Sequence, residues 1–272
     1  MNERSPPELD PRLVRRRFDR AAASYTGAAK MEAEVATRML ERLDYVKLAP
    51  RRILDAGSGP PGEMLERRYP AAEVAALDFS LQMLRQRRSR WFKRSRGFSI
   101  CGDLRRLPLA SGCFELAWSN MALHWVVDPL TALKELHRVL APEGLLMFSS
   151  LGPDSLQELR SAAGPARVHA FVDMHDIGDM LVAAGFSAPV MDMEHITVAY
   201  QAGGALLEDL RASGQTSARA DRARGMAAKA FAGALRAALP SRATFEIVYG
   251  HAWKGAPVND AAKTVRVFKR LP

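Results

Sequence analysis

Short apolar runs alternate with stretches of helical spacing through the middle of the chain. Residues 52–57 (RILDAG) place Ile53, Leu54 and Ala56 ahead of a glycine, the pattern of a buried strand entering a turn. Residues 73–78 (EVAALD), 98–101 (FSIC), 114–119 (FELAWS) and 145–149 (LLMFS) predict four more strands. Between them, 64–69 predicts a helix stopped by Pro70, 81–94 a second, and 129–140 a third closed by the turn Ala141-Pro142-Glu143-Gly144. Upstream, after a polar leader over 1–11, the spacing of Val35, Met39, Leu40, Leu43 and Val46 predicts helix over 12–48, ended by Pro50. Downstream the rhythm changes to a helix at 176–184, a strand at 190–200, an Ala-rich helical stretch at 203–238 and a last strand at 244–253. Strands that alternate with helices imply a parallel sheet covered on both faces. No repeat of fixed period interrupts this order.

The 272 residues, 48% hydrophobic and 25% charged, suit one large domain and exclude disorder over the whole length. No uncharged apolar stretch reaches the roughly 18 residues of a membrane helix. The N-terminal MNERSPPELDPR lacks the apolar core of a secretory signal. Cys101 and Cys113 are too few for a disulfide framework and have no zinc-ligand spacing, so a reducing cytoplasm is expected. The net charge of +9 and a pI near 9.9 favour an acidic partner, which charge alone does not choose.

Candidate chemistry collects at the strand ends. Asp55-Ala56-Gly57-Ser58-Gly59 closes the first strand, and glycines there let a ligand approach the backbone. Pro60 and Pro61 remove donors, and no Gly-Lys-Ser/Thr signature is present, so a phosphate cradle is disfavoured. Asp78 ends the second strand, where an acid can accept from both hydroxyls of a ribose. It could instead cap the next helix, although Ser80 serves equally well. Asp103, after the third strand, is placed to accept from an adenine amino group.

The series LDAGSG (54–59), ALDFSLQML (76–84), GDLRRLPLASGCFELAWSNMALHW (102–125) and LKELHRVLAPEGLLMFS (133–149) resembles the class I S-adenosylmethionine-dependent methyltransferases. Further stretches, VRRRFDRAAASY (14–25), LGPDSLQELR (151–160), FVDMHDIGDMLVAAGF (171–186) and FEIVYGHAW (245–253), are similar to the biotin-synthesis (BioC) family of malonyl-acyl-carrier-protein O-methyltransferases. The resemblance implies an α/β Rossmann-like sheet of seven strands, mostly parallel with an antiparallel last strand. It implies a helical cap over 1–49 and a methyltransferase domain over 50–272, in which the 203–238 insert covers the acceptor site. S-adenosyl-L-methionine is the implied cofactor. Asp55, Gly57 and Gly59 fall on its methionine-side motif, Asp78 and Phe79 on the ribose motif, and Asp103 and Leu104 on the adenine motif. Asn120 falls beside the methyl-donor sulfur, and Tyr25 on the tyrosine that covers the cofactor. His124, Trp125 and His175, with Asn120, are the acceptor-pocket candidates. The implied partner is acyl carrier protein carrying a malonyl group, with no nucleic acid. The family's Gly-x-Gly-x-Gly is broken here by Pro60-Pro61, which keeps two other expectations in view: a cofactor-poor assembly or binding protein, and a protein arginine hydroxylase like the complex I assembly factor.

A carboxylate acceptor needs no general base, because it is ionised at neutral pH with a reference pKa near 4. No nucleophile triad or metal cluster stands out, and an Arg or Tyr must hold the acceptor, with Arg15, Arg16 and Arg211 as candidates. Ser119-Asn120-Met121-Ala122 lacks the Asn/Asp-Pro-Pro-Tyr/Phe signature of amide and adenine methylation. His195 and His251 read as structural. The basic run 85–96 (RQRRSRWFKRSR) reads as a solvated helix or a docking surface for an acidic carrier.

Overall fold

In the computed structural model, residues 9–60, 63–86, 97–221 and 229–256 are described. One sheet organises them. Its strands are β1 (Arg52–Ala56), β2 (Glu73–Asp78), β3 (Phe98–Cys101), β4 (Phe114–Ser119), β5 (Leu140–Leu151), β6 (Ser187–Ala199) and β7 (Arg242–Trp253), in the order β3-β2-β1-β4-β5-β7-β6. β1 runs parallel to β2 and β4, β2 to β3, and β4 to β5. β7 is inserted antiparallel between β5 and β6. The expected architecture, parallel with a reversed last strand, is the one observed. The strand order diverges between β1 and β4, and a ligand cleft forms at such a switch point, outside the carboxyl ends of the strands.

The strands are apolar on both faces because both are covered. Along β1, β4 and β5 successive side chains alternate between two cores. Ile53, Leu116, Trp118, Leu145 and Met147 join one, with Val35, Met39 and Leu43 from the N-terminal helices. Leu54, Ala117, Leu146 and Phe148 join the other, with Leu133, Leu136, Ile177 and Leu181 from two later helices. The helices are α1 (Pro11–Ala28), α2 (Lys30–Arg42), α3 (Met64–Arg68), α4 (Leu81–Arg85), α5 (Pro129–Val139), α6 (Gln157–Ala163), α7 (Met174–Ala183), α8 (Gly203–Ala212) and α9 (Lys229–Ala238). A third, smaller cluster joins Leu13, Val14, Phe18 and Ala22 of α1 to Met83 and Ala218. Through it α1 and the segment after α8 lie together over the strand ends.

Several boundaries differ from the sequence expectation, and the helical stretch expected over 203–238 is α8 and α9, with residues 213–221 after α8 non-helical. The helix expected over 12–48 is two helices and a short 3-10 turn. Asp10 caps α1 by accepting from Arg12 and Leu13, and Ala29, with ψ near 51°, leaves the helical region between α1 and α2. The turn expected at 141–144 lies within β5, where the pairing with β4 shifts register between Phe114 and Leu116 and Glu143 takes a φ of 60°. The chain therefore continues as a bulged strand, with Leu140 its first residue rather than the end of α5. Most of the basic run 85–96 lies outside the described residues, and so does Pro61. No helix among the described residues is long and apolar enough to cross a membrane.

Gly250 sits opposite Phe148 where β7 crosses β5, and an added methyl would drive into the Phe148 ring. Gly250→Ala is therefore expected to lose about 1–3 kcal/mol in urea unfolding by overpacking. Gly233→Ala, in open space on α9, is expected to gain up to about 1 kcal/mol. Equal effects of the two substitutions would contradict this packing.

Candidate functional site

The carboxyl ends of β1, β2 and β4, roofed by α1, enclose a cleft of about 760 Å³ counting its open mouth. Gly57, Gly59, Asp78, Phe79, Leu104, Asn120 and Tyr25 all line it, and the structure brings these expected residues together.

The glycine turn is built by the ends of β1 and β2. The Gly57 and Ser58 N–H groups both donate to the Leu77 carbonyl, at 2.8 and 3.0 Å. Gly57 has a φ of +80°, and a methyl there would overlap the Ala122 side chain. Both the dihedral and the space demand glycine. Asp78, 5% exposed, then binds the turn from the side: its carboxylate accepts from Gly59 N–H at 2.9 Å and Ser80 N–H at 2.7 Å. Burial pushes its pKa up to about 6, against the pull of these two bonds. Ser80, and not Asp78, caps α4 by accepting from Met83 N–H. Asp78 is thus left to the turn and the cleft.

Apolar side chains form the walls. Phe18 meets Phe79 edge-on at 5.9 Å and Trp125 at 5.3 Å, and all but Phe18 of these come from strand-end loops. The Tyr25 ring lies above Gly59, and its phenol is held protonated by burial and by the negative charges of Glu32 and Asp78. Asn120 is fixed at both ends: its Nδ2 donates to the Glu32 carbonyl at 2.9 Å and its Oδ1 accepts from Ser149 Oγ at 2.9 Å. Ser149 Oγ in turn accepts from Met121 N–H, whose residue has a φ of 53°. A bent loop is thereby held against the cleft.

Other expected residues fall differently. Asp103 lines the cleft, but its carboxylate pairs with Arg105 at 2.7 Å, and that pairing holds its pKa below the usual range. Asp55 is not among the lining residues; the strand pleat puts its side chain on the Ile53 face of β1. His175 is corrected: it is exposed at the first turn of α7, bonded to Asp173, which caps that helix, and takes no part in the cleft. Arg15, Arg16 and Arg211 are exposed and also absent from its lining. His251 is half-buried on β7, and its burial lowers its pKa. His195 lies on β6 facing Asp154 and Glu246, a grouping with ligand-type atoms within 4.8 Å of one another, assembled from segments too far apart to read as a motif. Glu246 there already accepts from Asp154 N–H at 2.7 Å.

His124 is buried behind Trp125. Its Nδ1 accepts from Leu151 N–H at 3.3 Å, so the ring proton sits on Nε2, and Nε2 has no hydrogen-bond partner among the described residues. Burial, with neighbouring His169, pushes its pKa down to about 3. His169 meets Trp125 edge-on at 4.8 Å and accepts from Ala218 N–H at 2.7 Å through Nε2. Burial, reinforced by Arg17 and Arg219, pushes its pKa down to about 4. No spacing rule points to His169, which meets the cleft wall at Trp125 only through the fold.

Comparison with known proteins agrees with this geometry. The methyltransferase domain family matches residues 54–148. The chain is 46% identical over 270 residues to a malonyl-[acyl-carrier protein] O-methyltransferase of Gallionella capsiferriformans, covering 92% of each chain. The YcgJ protein of Bacillus subtilis shares the fold at a TM-score of 0.57 and 18% identity, over 79% of this chain and 97% of that one. A phosphoethanolamine N-methyltransferase of Haemonchus contortus, solved with S-adenosyl-L-methionine, aligns at a TM-score of 0.54 and 16% identity over 87% of this chain and 57% of that one.

The two neutral histidines make a signed pH claim. Their folded pKa values lie below the ordinary value of 6.5, so the unfolded chain binds more protons between pH 6.5 and 3. Their contribution to stability is whole above pH 6.5 and is lost as the pH falls. In thermal melts from pH 7.5 to 5, His124→Gln is expected to flatten the acid loss relative to the parent protein. An unchanged slope would contradict a buried neutral imidazole.

Proposed function

The chain belongs to the family of malonyl-acyl-carrier-protein O-methyltransferases, and from that membership we propose its reaction in residue terms. It esterifies the free carboxylate of a malonyl thioester carried on acyl carrier protein, with S-adenosyl-L-methionine as methyl source, in biotin synthesis. The observation that carries the reading is the cleft at the β1/β4 switch point, with a buried carboxylate, Asp78, at its floor. The 46% identity to a family member over 92% of both chains supports the acceptor.

The residues fit the cofactor. Asp78 spends one lone pair of each oxygen on Gly59 and Ser80, and a carboxylate has roughly four such positions, so two remain for a ribose diol. Phe79 and Leu104 supply apolar surface for a flat base, with Asp103 beside them at the rim. Gly57 and Gly59 let the backbone come close on the methionine side. Tyr25 and Asn120 border the same end of the cleft. Pro60 leaves the turn intact, since Gly59 still donates to Asp78. That geometry argues against the cofactor-poor alternative.

When bound, the cofactor supplies a methyl group on a positively charged sulfur. The chain's task is then positional. It holds an anionic oxygen in line with that methyl and keeps water from the anion. The walls of Phe18, Trp125, Met121 and Val126 suit the exclusion of water. Residues 213–221, after α8, lie over α1, where Ala218 packs on Leu13, Val14 and Phe18, and so serve as the cover. Asp78 must be ionised to accept two hydroxyls, so its raised pKa links cofactor affinity to pH.

Incubation with malonyl carrier protein and S-adenosyl-L-methionine is expected to add one methyl to the carrier by mass spectrometry. An unmodified carrier overturns the reading. By calorimetry, cofactor affinity is expected to weaken as pH falls from 7.5 to 5, through the Asp78 pKa near 6. Asp78→Ala is expected to weaken it at least about 100-fold at pH 7.5, two lost hydrogen bonds to a charged group at ~1.5–3 kcal/mol each setting the scale. Binding unchanged by the substitution would remove Asp78 from the site.

A further inference from the structure

Outside the cofactor cleft, one buried carboxylate is only half answered. Asp78 has an N–H for each of its oxygens. Glu246 of β7 is 4% exposed, yet its carboxylate takes a single hydrogen bond among the described residues, from Asp154 N–H to Oε2 at 2.7 Å. Its Oε1 takes none. A neutral Gln could hold the Asp154 N–H equally well, so that bond alone does not call for a charge.

The chain after β5 is folded around this side chain. Gly152 N–H donates to the Glu246 carbonyl at 2.9 Å. Ser155 Oγ accepts from Glu246 N–H at 3.0 Å and donates to its carbonyl at 3.1 Å. A methyl on Gly152 would overlap the Glu246 carboxyl group, so the loop closes at the one place where a side chain does not fit. These backbone bonds carry the Asp154 carboxylate toward that of Glu246. From the other side, His195 is the direct cross-strand partner of Glu246 in the β6/β7 pair, and the two side chains rise from the same face of the sheet. One ligand-type atom from each of Asp154, His195 and Glu246 lies within 4.8 Å of the other two.

Two carboxylates brought this close repel, and burial of one raises the cost further. A cation nearby would offset it. The chain has 39 Lys and Arg residues, yet among the described residues none forms an ion pair with either acid. Arg160 reaches the same loop and gives its guanidinium to the carbonyls of Pro153, Ser155 and His169 instead. The donor set therefore carries negative charge with no side chain to balance it. One imidazole nitrogen and two carboxylates suit a transition-metal dication such as Zn²⁺. Ca²⁺ and Mg²⁺ prefer oxygen ligands alone. With Zn–N and Zn–O distances of about 2.0–2.2 Å, tetrahedral ligand atoms lie roughly 3.4 Å apart. Closing to that spacing asks for a shift of about an ångström from His195 and Asp154, and both are exposed and free to turn.

We propose that Asp154, His195 and Glu246 form a binding site for one divalent transition-metal ion, which ties the loop after β5 to strands β6 and β7. The site stands apart from the cofactor cleft, whose lining includes none of the three. It asks nothing of the methylation reaction, and its role is to brace that loop.

The test is calorimetric titration of the full chain, stripped with a chelator, with Zn²⁺. One equivalent is expected to bind with a Kd in the micromolar range, and Ca²⁺ at the same concentrations is expected to give no saturable heat. His195→Ala and Asp154→Asn should each weaken Zn²⁺ at least about 10-fold while leaving the metal-free Tm unchanged, since both side chains are exposed. His175→Ala removes the other exposed histidine that touches an acid, Asp173, and should leave the Kd within twofold. At a hundredfold excess over Kd, Zn²⁺ should raise the Tm of the parent protein by roughly 5 °C and that of His195→Ala by much less. Absence of a saturable site in the parent protein overturns the proposal. Binding that survives both His195→Ala and Asp154→Asn, or that His175→Ala abolishes, overturns it as well.

Discussion

The Asp78 carboxylate is the joint on which the site depends. It takes one N–H from the turn after β1 and one from the start of α4, and so pins the ends of β1 and β2 to each other beside the cleft. A neutral side chain could satisfy one of these donors and would leave the other orphaned. The burial that makes these bonds strong also raises the cost of the charge, and the pKa near 6 is the balance of the two. A carboxylate held at that cost is poised to gain from further donors, and a nucleoside ribose brings two.

The rest of the architecture serves to keep that joint dry and oriented. The apolar alternation of β1, β4 and β5 fixes the sheet between two helix layers, and the order of its strands opens the cleft. α1 and the segment after α8 then close the top together through Phe18, Ala218, Arg17 and Thr216.

Much of this was legible in the sequence because it is local. Strand ends show as an apolar run followed by Gly or Asp, so Gly57, Gly59, Asp78 and Leu104 were placed by pattern and resemblance, and all four line the cleft. The bulge in β5 was hidden, because Pro142 and Gly144 give the same local signal in a turn and in a kinked strand. His175 misled for a related reason: a histidine at a helix start looks alike whether it faces a pocket or bonds its own capping residue, as it does here with Asp173. The place of His169 against Trp125 could not be read from the sequence, nor could the contact that ties α1 to the segment after α8. Arg17 meets Thr216 across 199 residues, and nothing in either segment's spacing encodes that contact.

A crystal structure of the chain with S-adenosylhomocysteine bound tests the central joint most directly. The account requires both ribose hydroxyls within hydrogen-bond distance of the Asp78 carboxylate while Gly59 and Ser80 keep their bonds to it. A nucleoside seated elsewhere, or a ribose held by other groups with Asp78 serving only the turn, would contradict it.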